Sequence, residues 1–183
     1  MYLGKTLRDF HGSHPLVPGM DMEELRGKLT FELSPKVFRP LVETYARTYR
    51  LNFETIEQIR NQYARTASLL STMKAVVKYW TRPAASLTAE YRGRLNSPGI
   101  DRALRVSPQG YNERANRIGL LIYPNMRAPI GSPIHQAYLT KEDKDAPENL
   151  GNWETSSGDS LTEIDVFTSA RCINERVYAV LSA

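Results

Sequence analysis

Between Pro40 and Pro83 the chain has no proline or glycine, and along that stretch apolar or small residues return at alternating steps of three and four. Val42, Tyr45, Tyr49, Asn52, Ile56, Ile59, Tyr63, Thr66, Leu70, Met73, Val77 and Trp80 hold one seven-residue register, with Asn52 and Thr66 as its polar members. An unbroken helix over this stretch would be about 60 Å long, twice the diameter of a small domain, and would need a partner along its length. The expected form is broken near Arg50 to Glu54, with Asn52 capping a second helix and Phe53 tucked in beside it, because globular helices are usually much shorter. The continuous register favours the unbroken alternative. In both forms the stripe is expected to be covered by other protein, as in a coiled coil. Tyr45, Tyr49, Tyr63 and Trp80 are then its partner-binding residues.

A short echo lies within the stripe. Tyr45, Ala46, Arg47, Thr48 recurs as Tyr63, Ala64, Arg65, Thr66. The displacement is five helical turns, so one continuous helix would place both tyrosines on equivalent faces.

The chain of 183 residues suits one domain, or one with a small appendage. Its 41% hydrophobic and 24% charged residues exclude collagen-like and wholly disordered classes. No apolar run is long enough to span a membrane, and Met1 to Phe10 lacks the apolar centre of a signal peptide. The expected location is therefore cytoplasmic or within an assembled particle, with no membrane insertion. A single cysteine, Cys172, excludes an internal disulfide and a cysteine-rich zinc site.

Charge is unevenly spread. Residues 1–127 hold 20 Lys or Arg against 11 Asp or Glu, whereas residues 128–183 hold 4 against 9. Such asymmetry can steer two unlike partners or join copies of the chain head to tail, and it can also be satisfied internally.

The pattern predicts an α+β chain, helices first and sheet second. Residues 1–33 read as an arm with a short helix from Asp21 to about Lys28, followed by a strand up to Leu33. Residues 34–105 read as the helical part, restarted by Ser34 and Pro35, with Pro40 placing the main helix start nearby and a further helix from Ala84 to Leu95. Residues 106–183 read as a small antiparallel or mixed sheet packed with the helices as one unit. Its expected strands are Ile118 to Tyr123, a weak one over Ile134 to Leu139, and a hairpin of Leu161 to Ser169 with Glu175 to Ser182. A long irregular loop is expected over 140–160, with Trp153 as a partner-docking anchor. The last strand, so near Ala183, is an expected edge for pairing with a neighbour.

Arg82, Arg92, Arg94, Arg102, Arg105, Arg114 and Arg117, with Arg127 beyond them, are interleaved with Tyr91, Tyr111 and Tyr123. Guanidinium groups pair phosphates and tyrosine rings stack on bases, so these arginines are the candidate nucleic-acid contacts. The same two residue types anchor protein interfaces.

No catalytic constellation is legible. Glu163 and Asp165 would share one side of a strand near solvent, Asp159 and Ser160 make no nucleophile elbow, and Ser13 and His14 lack a third group. His11, His14 and His135 have no acidic ligand at a distinctive spacing, so no metal is expected. The scattered glycines match no cofactor fingerprint, and none is expected. The resulting expectation is a non-enzymatic structural subunit of a large multi-protein assembly, such as a virion or secretion-type particle. Its partners would be other subunits, copies of itself included. The alternative is a nucleic-acid-binding adaptor.

Overall fold

The computed structural model describes residues 34–93, 102–155 and 158–183. The readings for the arm, its helix and its strand, for His11, Ser13 and His14, and for Arg94 and the turn after it lie outside the described residues.

The striped stretch folds as three helices: α1 (Pro35–Thr48), α2 (Phe53–Tyr63) and α3 (Leu69–Tyr79). The first break falls where expected. Asn52 Oδ1 accepts from Thr55 N–H at 2.9 Å, and Phe53 is buried behind it. A second break was not foreseen: Ser68 accepts from Ser71 N–H at 3.2 Å and starts α3. Pro40 stands inside α1 rather than at its start, the helix beginning at Pro35 after Ser34.

These turns fold the stripe back on itself. Val42, Ile56, Ile59, Met73, Val77 and Trp80 are buried in one core with Phe38, Leu51, Ala84 and Val180. The apolar face is thus covered by this chain, and no long coiled-coil helix exists among the described residues. The echo sits at two helix ends, where Ala46 and Ala64 both enter that core.

Five strands form one antiparallel sheet: β1 (Ala84–Arg92), β2 (Ala103–Tyr111), β3 (Lys144–Asn149), β4 (Asp165–Ile173) and β5 (Arg176–Ser182), in the order β2-β1-β5-β4-β3. The first three helices cover one face. Here Ser169 Oγ accepts from Phe53 N–H at 3.1 Å. Arg171 joins α2 to the sheet by pairing with Glu57 and forking onto Asp143. Alternate residues Ala85, Leu87, Ala89, Val177, Ala179 and Leu181 point to the other face. There they meet α4 (Glu113–Ile118), α5 (Pro133–Thr140), Leu120, Met126 and Trp153.

Several expectations are corrected. Ala84 to Arg92 is a strand, not a helix: its small residues Ala84, Ala85, Ser86 and Ala89 let two layers approach closely, which outweighs helix propensity. Ile118 to Tyr123 is not a strand, since α4 ends at Gly119 (φ 74°) and irregular chain follows. Ile134 to Leu139 is helical because Ser132 caps it, accepting from His135 N–H at 3.2 Å, with Pro133 in its first turn. The 140–160 loop contains β3 and a 3-10 turn, Leu150–Asn152, that carries Trp153 inward. The expected hairpin is present as β4 and β5, closed by Asn174 and Glu175, both at positive φ. β5 is central, paired on both sides, and so cannot serve as an edge.

Candidate interaction surfaces

The sheet order turns the charge asymmetry of the sequence into geometry. β2 and β3 are opposite edges, separated by four strand spacings, about 19 Å. That exceeds the screening length of about 10 Å at 0.1 M salt, so neither edge neutralises the other.

The β2 edge is basic. Arg102 precedes the strand, Arg114 and Arg117 project from α4 just after it, and Arg127 bridges to it at Arg105. Its backbone is covered: Val106 N–H donates to Met126 O at 2.9 Å, and Ala128 N–H to Leu104 O at 2.8 Å. Arg102 and Arg114 have no ion-pair partner among the described residues, while Arg117 has a loose, exposed one in Glu113 at 3.6 Å. Ile118 at the end of α4 and Leu121 and Tyr123 just after it are exposed as well.

The β3 edge is acidic. Asp145, Glu154, Glu163 and Asp165 are exposed there and have no ion pair among the described residues. Asp145 Oδ2 accepts from Asn52 Nδ2 at 3.3 Å, and Asp165 Oδ1 from Asn149 Nδ2 at 2.7 Å. Pro147 removes one backbone donor from this strand, which discourages β-addition.

At a third place, where β1, β2, α5 and the β4–β5 turn meet, two tyrosines lie nearly parallel. The rings of Tyr91 and Tyr138 are 6.0 Å apart at 13°. Arg102 Cζ lies 5.3 Å over Tyr91, and Lys141 Nζ lies 4.1 Å over Tyr138. A cavity of about 370 Å³ opens beside them, walled also by Glu90, Asn174 and Arg176. Arg176 pairs with Glu90, and Lys141 with Glu175 at 2.8 Å. The Glu175 side chain holds the Lys141 ammonium pKa up, and Lys141 in turn holds the Glu175 carboxyl below its usual range. Cys172, half-buried, has its thiol pushed up by burial, with Lys141 Nζ 3.9 Å from Sγ.

Residues 5–52 match the winged-helix family of elongation factor SelB. The matched segment is about a quarter of the chain, and only α1 and its following turn fall among the described residues. No curated protein matches the chain. Such a match is consistent with nucleic-acid or protein partners. Among the described residues, no helix is long and apolar enough to cross a membrane.

The structure sorts the sequence candidates. Tyr45, Tyr49 and Tyr63 are brought together: the first two rings are 5.3 Å apart, and Tyr45 Oη donates to Gln62 Oε1 at 2.8 Å. Burial, with Tyr63 and Tyr49 close by, pushes the Tyr45 phenol up. Trp80 and Trp153 are buried in this chain's own cores, which corrects their reading as partner-binding anchors. Arg105 is also buried, its Nη1 donating to Asn125 O at 3.0 Å, so it holds a loop and is removed from the exposed candidates. Arg92 is half-buried on Ser107, and Arg82 is exposed near Phe167. Tyr111 bonds Ile122 O at 2.5 Å and belongs to the fold, whereas Tyr123 is exposed. Sequence reasoning missed Tyr138 and Lys141, which lie on a segment read as a strand and on its following loop.

Proposed function

We propose that this chain is a non-enzymatic structural subunit of a multi-protein assembly, joined to copies of itself or to similar subunits by opposed sheet edges. The observation that supports this most is the basic β2 edge facing away from the acidic β3 edge across one five-stranded sheet. A contact of one edge with the other is heterologous, so it propagates into an open filament unless the rotation between subunits closes it into a ring. Ile118, Leu121 and Tyr123 supply apolar area at the basic edge, and the tyrosine cluster of α1 and α2 supplies a second surface. Sedimentation velocity as a function of salt tests the reading: self-association falls as salt rises, and a monomer at every salt and concentration contradicts it.

A second reading, a nucleic-acid-binding adaptor, is favoured by one independent observation. The winged-helix match at residues 5–52 accompanies exposed Arg102, Arg114 and Arg117. Binding at low salt that weakens steeply with added salt is its expected signature.

A further inference from the structure

The corner around Tyr91 leaves part of an aromatic ring open to solvent beside a cation. Tyr91, next to last in β1, has 47% of its surface exposed, although its neighbour Tyr138 is half-buried. Both carboxylates of the corner already have cations, Glu90 in Arg176 and Glu175 in Lys141. Among the described residues Arg102 is the corner's cation without an ion-pair partner, and it lies over an exposed ring. The adjoining cavity of about 370 Å³ is open, of the size that takes one small planar group, and presents the Asn174 amide at its wall.

We infer that this corner holds one unpaired base of a single-stranded nucleic acid. The base takes the place of the Arg102 guanidinium over the Tyr91 ring, and Arg102, swung off the ring, pairs the adjoining phosphate or covers the outer face of the base. The Asn174 amide offers one donor pair and one acceptor to the base edge. A duplex is disfavoured, because its bases keep their faces within the stack and cannot reach a ring at a sheet corner. This inference rests on the nucleic-acid reading above, and it narrows that reading to single strands and to one stacking position.

The test is fluorescence anisotropy of the full chain at low salt with a labelled oligothymidylate strand and with a labelled duplex. Tyr91→Ala is expected to weaken strand binding about tenfold, while Tyr91→Phe, which keeps the ring, binds as the unaltered chain does. Arg102→Ala is expected to weaken it severalfold. Tyr91 and Arg102 are exposed, and circular dichroism of both variants checks that the fold is retained. Duplex binding is expected to be equal in Tyr91→Ala and the unaltered chain. If Tyr91→Ala and Arg102→Ala bind the strand unchanged while Arg114→Ala with Arg117→Ala weakens it, the stacking site is overturned and the nucleic-acid reading survives. If the unaltered chain binds neither strand nor duplex at low salt, both are overturned.

Discussion

Asn112 is tied to Trp80 across 32 residues: its Nδ2 donates to the Trp80 carbonyl at 3.1 Å and to that of Arg82 at 2.7 Å. Its Oδ1 accepts from Ala84 N–H at 3.2 Å and from Ala115 N–H at 2.8 Å. One buried amide therefore uses both donors and both acceptor positions to fix the end of the helical layer, the start of β1 and the cap of α4.

Replacing Asn112 by Ala leaves four backbone groups without this partner, three of the bonds being buried, and is expected to cost about 3 kcal/mol in denaturant unfolding. Asn112→Asp keeps the acceptor but turns a carboxylate toward two carbonyls, so it is expected to fare no better. A chemical-denaturation midpoint unchanged in both variants would contradict the role.

Glu148 provides a pH test. Burial raises its carboxyl pKa above the ordinary 4.5, only partly offset by hydrogen bonds from Thr168 Oγ1 and Trp153 Nε1. The folded state thus binds this proton more tightly than the unfolded chain. The resulting stabilisation is fully present below about pH 4.5 and is lost as pH rises through the raised value. Glu148→Gln can still accept from Trp153 and donate to Thr168. It is expected to flatten the pH dependence of stability in that window and to raise stability at neutral pH, as read from unfolding midpoints across pH. Parallel curves for both proteins would contradict this.

The hairpin of β4 and β5 was legible because β-branched residues stand on both sides of a short polar loop, and the break at Asn52 because its cap chemistry is local. The Ser-Pro pair that signals the start of α1 stands again at Ser132 and Pro133, yet Ile134 to Leu139 reads as a strand because its apolar residues are too few to set a helical period. For β1 the inward side chains are mostly alanines, which carry little periodic signal. The heptad register misled in a different way: short breaks happened to preserve it while the helices turned back on themselves. Of the candidate surfaces, the charge asymmetry was visible in the sequence, but its placement on two opposite edges depends on β5 inserting beside β1, a long-range pairing. Trp80, Trp153 and Arg105 are residue types that anchor interfaces and cores alike, and only burial separates the two uses.

The basic edge has its own test on the nucleic-acid reading. Neutralising Arg102, Arg114 and Arg117 together is expected to reduce the slope of log affinity against log salt by about 2 for a single strand. Binding of equal salt sensitivity in the triple variant would remove this edge from the interface.

The opposed edges are tested most directly by sedimentation velocity on two charge-inverted variants, alone and mixed. One variant carries Glu at Arg102, Arg114 and Arg117, and the other carries Lys at Asp145, Glu163 and Asp165. The unaltered chain is expected to self-associate at low salt, each variant to sediment as a monomer, and the equimolar mixture to recover the larger species. An unaltered chain that stays monomeric at low salt, with a mixture that stays monomeric too, would contradict the account.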